Sequence, residues 1–258
     1  MGEFYSAVKD IKAKESLAPE PRKFAKEEAP THIDVDGVQR PTTDSTGAPI
    51  HTTEEGVKNF WKGFKDTKVV DAEGRPKVVY HGTDKDFSIF KGGRTDFGIH
   101  FGTEGQANER LSRKGAEGAR MVTAYLNIKN PLRLDDPGVW DKHEIKWQLG
   151  AKFPEDVGAI KELQSFGQIK KFIKDKGYDG IVYKNRVEIP GLAEREAAKD
   201  WGATIEMRQN PKYWEDSYIA LDSKQIKSAA DNKGAFNTTK ADIREARGVA
   251  PENAHSTE

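Results

Sequence analysis

Two histidines, each set in a short run of strand-forming residues, are the side chains of this chain best suited to chemistry. His81 lies in "VVYHGT" and His100 in "GIHFG", nineteen residues apart. An imidazole can donate or accept a hydrogen bond or a proton near neutral pH. Gly82, directly after His81, lets another molecule approach the backbone closely. Tyr80 and Thr83 flank the pair with hydroxyls, and Phe101 follows His100 with an apolar ring. Metal binding by the two histidines is not expected, because no H-x-x-H, H-E-x-x-H or cysteine partner stands at ligand spacing. Gly92, Gly93, Gly98, Gly102 and Gly105 match neither G-x-G-x-x-G nor G-x-x-x-x-G-K-[ST], so turn chemistry accounts for them. The lysines of "QIKKFIKDKG" fall opposite a stripe of Ile169, Phe172 and Ile173 and read as a solvated helix face, not a nucleic-acid surface.

The elements that must position these residues are readable from periodicity. Val57, Phe60, Trp61 and Phe64 repeat as one face of a helix, with Thr52 and Glu55 spaced as a capping box. "KVVDAEGRPKVVYHG" reads as two strands around a turn, a hairpin that ends at His81. "GIHFG" is a short strand, followed by a helix capped by Thr103. "MVTAYLNIKNPLRL" is a strand broken at Asn130-Pro131, and residues 139–177 read as helical up to Gly177. "DGIVYKN" and "DSYIALD" are two more strands, separated by a long insertion with a helical middle. Strands and helices mix without regular βαβ alternation, which predicts an α+β fold.

Composition sets the limits. Residues 1–51 hold no tryptophan and five of the twelve prolines, and are expected to be largely disordered. The abrupt start reads as though cut from a longer polypeptide. Residues 52–235 are the expected domain, and 236–258 a polar tail. Lys+Arg and Asp+Glu are both 42, so no net field points to nucleic acid or an anionic membrane. Cysteine is absent, which excludes disulfides and thiolate chemistry. No apolar run nears the roughly 20 residues that span a bilayer, and a cytoplasmic protein is expected.

Four pieces in order, "GRPKVVYHGT", "FGIHF", "GYDGIVYKN" and "DSYIALDSKQIKSA", resemble the ADP-ribosyltransferase fold. The closest resemblance is to the domain found in polyvalent proteins of phages and other mobile elements, and it covers about residues 56–235. It implies a split β-sheet core with flanking helices, NAD as co-substrate and no metal. In that family the first-strand histidine meets the nicotinamide-proximal ribose, and the next glycine's backbone holds the carboxamide. His81 and Gly82 match those positions. The second strand carries a tyrosine that packs on the nicotinamide; here His100 stands in its place. The third strand opens with a glutamate, a place taken here by Ser217, with Glu215 and Asp216 just upstream.

The resemblance therefore implies an NAD-dependent mono-ADP-ribosyltransferase of phage or mobile-element type. It would modify a host protein or nucleic acid in the host cytoplasm, or be carried in the virion. His81, His100, Ser217 and Glu215 are the expected catalytic residues. Tyr80, His81, Gly82, Thr83, His100 and Phe101 are the expected NAD contacts. Among substitutes for the missing glutamate, alternation along a strand ranks Glu215 first, since it shares a face with Ser217 whereas Asp216 does not. Glu188 could serve only if the insertion folds over the site. Two other readings stand beside this one: an NAD glycohydrolase with water as acceptor, and a non-catalytic NAD-binding or virion structural module.

Overall fold

The computed structural model describes residues 30–91, 97–114 and 118–244. The expected disorder of residues 1–29, Gly92 and Gly93, and the last fourteen residues of the expected tail lie outside them. Nine strands and seven helices follow in chain order among the described residues. β1 (His32–Val35) and β2 (Val38–Pro41) precede α1 (Glu54–Phe64). Next come β3 (Val79–Thr83), β4 (Ile99–Phe101), α2 (Glu104–Lys114), β5 (Arg120–Leu126) and β6 (Pro131–Arg133). α3 (Lys142–Lys152), α4 (Val157–Lys161) and α5 (Phe166–Asp175) lead to β7 (Gly180–Lys184). α6 (Leu192–Ala197) and α7 (Trp201–Gln209) occupy the insertion before β8 (Asp216–Ala220) and β9 (Ile226–Ser228).

The main sheet is split, as the resemblance implies. One part has the order β3-β5-β9 and the other β4-β8-β7-β6, antiparallel throughout except for the parallel pair β6/β7. The helices α3 to α5 make the crossover that a parallel pair requires. Among the described residues an isolated bridge pairs the two parts, where Tyr80 and Gly102 exchange both backbone hydrogen bonds. Strand alternation sorts the cores. Val182, Tyr218 and Ala220 face Val79, Phe101, Ala124 and Leu126 between the two sheets. Ile181, Tyr183 and Ile219 face Ile145, Leu149, Ile169 and Ile173 of the crossover helices.

Several expectations need correction. The N-terminal boundary is not at residue 51. β1 and β2 form a hairpin around Asp36 and Gly37, both at positive φ. Ile33, Val35 and Ile50 are buried with Phe60, Trp61, Phe64 and Tyr125. Trp61 Nε1 donates to Pro41 O at 2.8 Å, and the Tyr125 hydroxyl to Asp44 Oδ2 at 2.8 Å. The C-terminal boundary also moves: Phe236 and Ile243 are buried, and Ile243 is tied by backbone bonds to Ser88 and Ser228. The helix cap is Thr53, which accepts Gly56 N, not Thr52. The hairpin expected before His81 shrinks to a Val70–Pro76 bridge, because β3 pairs with β5 instead. Residues 139–177 hold three helices, interrupted at Pro154 and at the Ser165 capping box.

A consequence is measurable. A chain beginning at His51 loses Ile33, Val35 and Ile50 from the core, roughly 5 kcal/mol at the usual value of a buried aliphatic side chain. That loss rivals the whole stability of many domains. Urea unfolding should show the shortened chain molten or aggregated at neutral pH; an unchanged midpoint would return the boundary to residue 51.

Candidate active site

The split opens a cleft of about 830 Å³, within the range of roughly 300–1,000 Å³ usual for small-molecule sites. His81 and Thr83 enter it from β3, His100 from β4, Arg110 from α2, Tyr183 from the end of β7, and Glu188 from the insertion. Trp140, from the loop before α3, completes an aromatic corner with His100 and Tyr183.

His81 is held by a bond specific to its place at the split. Its Nδ1 lies 2.8 Å from the carbonyl oxygen of His100. A carbonyl only accepts, so Nδ1 carries the proton, and in the neutral ring Nε2 carries the lone pair. Phe90 and Phe101 pack against the imidazole at 5.2 and 5.5 Å between ring centres. Phe101 thus supports His81 from the core and does not line the cleft. Tyr80 does not line it either; its backbone makes the bridge to Gly102. Thr83 does, and its hydroxyl accepts Lys85 N.

Gly82 lines the cleft with its backbone, but its missing side chain answers to something else. A Cβ there would lie 2.8 Å from Leu111 Cγ and 3.1 Å from Ala107 O, both on α2. Packing of α2 on β3 requires this glycine whatever the ligand.

His100 sits edge-on to Trp140 and Tyr183, with Nδ1 3.3 Å from the Tyr183 hydroxyl. Burial, and then the neighbouring Arg110 and His81, push its pKa down to about 3. The ring is neutral at physiological pH. Burial also raises the Tyr183 pKa, so its hydroxyl keeps a proton to donate. The sign of the linkage follows. Between about pH 6.5 and 3 the unfolded chain binds a proton at position 100 that the folded chain does not, so stability is full above 6.5 and falls as pH drops. Urea midpoints should decline from about pH 7 to 4.5, less steeply in His100→Phe; equal slopes would remove the assignment.

Asp84, Asp86, Asp136 and Glu188 all line this cleft, and Glu188 is the one held by Arg110 and Asn185. Its Oε1 accepts from Arg110 Nη1 at 2.8 Å and its Oε2 from Asn185 Nδ2 at 3.0 Å. Asn185 Oδ1 in turn accepts the backbone N–H groups of Val187 and Glu188, turning the chain back toward the cleft as it leaves β7. Ser217 is only 1% exposed and reaches the cleft through Asn185, whose Nδ2 donates to its Oγ at 3.0 Å. Ser217 Oγ then donates to Gln106 Oε1 at 2.9 Å.

Glu215 does share the α2 side of β8 with Ser217, as alternation predicts, but it stops short of the cleft. Its Oε2 accepts from the Thr103 hydroxyl at 2.8 Å, at the start of α2. Asp216 pairs with Arg133 and Lys184, also outside it. Of the three candidates, Glu188 is the one that lines the cleft, because the insertion folds over it. Trp140, Tyr183, Arg110 and Asn185 were not foreseen. Tyr183 and Asn185 had a signal: they end the "GIVYKN" strand beside the strand of Ser217.

Among the described residues no group of three or more histidine, aspartate or glutamate side chains could hold a metal ion, and no helix is long and apolar enough to cross a membrane. The family described as ADP-ribosyltransferase in polyvalent proteins matches residues 71–236, well over half of the chain. No curated protein and no solved structure matches.

Proposed function

The chain belongs to the family of ADP-ribosyltransferases in polyvalent proteins, and from there we propose that it transfers single ADP-ribose units from NAD to a host macromolecule. The observation that carries this reading is one cleft holding a neutral His100 ring and the Glu188 carboxylate together. The nicotinamide of NAD is a cation. A neutral imidazole flanked by Trp140 and Tyr183 can receive it, where a charged one would repel it. His81 Nε2 accepts a ribose hydroxyl, and Lys85 and Lys91, which also line the cleft, suit the pyrophosphate.

In the reaction the bond from ribose C1′ to the nicotinamide nitrogen breaks, and its electron pair leaves with neutral nicotinamide. The sugar becomes oxocarbenium-like, and the Glu188 carboxylate stabilises the developing charge. A lone pair of the acceptor closes on C1′, and the acceptor proton passes to Glu188 or to solvent. Arg110 and Asn185 bond one oxygen each of that carboxylate, so both oxygens are already engaged when a neutral ribose hydroxyl arrives. That favours one transfer over chain growth. The mouth is edged by exposed Val139 and Ile89, room for a protein or nucleic-acid acceptor. We place the activity in the host cytoplasm, for a phage or mobile element.

Incubation with adenylate-labelled NAD and a bacterial lysate tests the reading. Label on a macromolecule as single units supports it. Free ADP-ribose alone would make the protein an NAD glycohydrolase, and unchanged NAD a binding or structural module.

A further inference from the structure

Glu188 is not on the sheet. It stands at the start of an insertion, residues 185–215, whose two ends are joined by Asn185 N donating to Glu215 O at 3.0 Å. A small core of its own, Ile189, Leu192 and Met207 with Tyr213 and Trp214, keeps this segment folded. Its position over the cleft depends on what it rests against, and that is α2.

Gly105, Glu109 and Arg113 repeat every four residues and so share one face of α2. A Cβ on Gly105 would lie 2.7 Å from Pro190 Cγ and 3.1 Å from Pro190 Cβ, so helix and insertion touch there without a side chain between them. One turn on, Glu109 is buried, its side chain only 4% exposed. Its Oε1 accepts from Arg113 Nε and Nη2 at 3.1 and 2.9 Å, and from Ala193 N at 2.5 Å, in the first turn of α6. Arg113 continues the contact to Glu196 at 2.9 Å, and Glu196 accepts from Arg208 of α7 at 2.7 Å. Arg110, on the flank of the same stripe, holds Glu188 itself.

We propose that Gly105 and Glu109 are positioning residues, docking the insertion on α2 and thereby setting where Glu188 stands in the cleft. The proposal rests on Glu188 being the carboxylate of the reaction. Gly105 sets the distance through contact with a proline ring that cannot rotate away. Glu109 sets the lateral register, since a buried carboxylate shared by a guanidinium and a backbone N–H tolerates little displacement. Neither residue touches the cleft; both act through Glu188.

The test uses the full chain, NAD as the probe, and two unrelated perturbations of one contact. Gly105→Ala adds a methyl group against Pro190 and changes no charge. Glu109→Gln removes the charge and adds no bulk. Each should lower kcat for nicotinamide release at least ~10-fold, the scale of sub-ångström to ångström misplacement, with KM for NAD within about 2-fold because the binding groups on β3 and β4 stay in place. Combined with Glu188→Gln, neither should lower kcat further. Loss beyond that of Glu188→Gln alone would show general damage and overturn the proposal. So would normal kcat in both variants while Glu188→Gln is impaired. Full activity of Glu188→Gln would withdraw the carboxylate assignment itself, and the proposal with it. If one variant melts below the assay temperature, the other decides.

Discussion

Replacing His81 with alanine should cut NAD turnover by about 100-fold or more while leaving the protein folded. That magnitude is what a positioned polar group is worth when it acts where charge develops. The imidazole is fixed at three points: Nδ1 on the His100 carbonyl, and ring contacts to Phe90 and Phe101. Beside it on β3, Gly82 has no side chain and the Thr83 hydroxyl already accepts Lys85 N, so neither duplicates the imidazole nitrogen. The fold loses little, because the ring is only half-buried and β3 keeps its five-residue register with β5. Single-turnover release of nicotinamide, read beside a thermal melt, separates the two effects. Full turnover per folded molecule would end the assignment; a lower melting point with unchanged turnover would make His81 a packing residue only.

The second large effect is expected at Glu188. Glu188→Gln keeps the shape and one acceptor oxygen but removes the charge that faces the oxocarbenium-like sugar, and should lower kcat by about 100- to 1,000-fold with little change in KM. Glu215→Gln and Asp216→Asn form the contrast. Glu215 is engaged by Thr103, and Asp216 by Arg133 and Lys184, whose guanidinium and ammonium hold its pKa below the usual carboxylate value against the opposing effect of burial. Neither carboxylate lines the cleft, so both variants should stay within about 3-fold of the parent in turnover per folded molecule. If Glu215→Gln carried the large loss instead, the site would have to rearrange on binding NAD.

How much of this was readable from the chain varies with how local each signal is. Strand alternation in "DGIVYKN" and "DSYIALD" places Ile181, Tyr183 and Ile219 on one face and Val182, Tyr218 and Ala220 on the other, as found. His81 and His100 stand out by their setting in apolar strands, and the structure brings both to one cleft. The β1–β2 hairpin was missed although its signal was present: Ile33 and Val35 alternate, and Asp36-Gly37 is a two-residue turn suited to positive φ. The surrounding prolines and charges outweighed it. Trp140 was unreadable as a site residue because its place depends on the buried Asp136, which accepts Gly138 N and Arg186 N from two separate loops. Glu188 ranked last because a strand's alternation can be counted, whereas the return of a thirty-residue insertion cannot.

The break in the sheet also bears on how the fold keeps its strand edges from pairing with other chains. Two facing strands that stop pairing after a single bridge would each present bare backbone to any extended chain nearby, the usual template for intermolecular pairing. Here the first carbonyl past the break, that of His100, is plugged by a side chain, the His81 imidazole. β4 itself is only three residues long. The same ring that is assigned to the ribose therefore seals a sheet edge, so a variant lacking it bares an adhesive site, and self-association at high concentration becomes the hidden cost of losing one histidine.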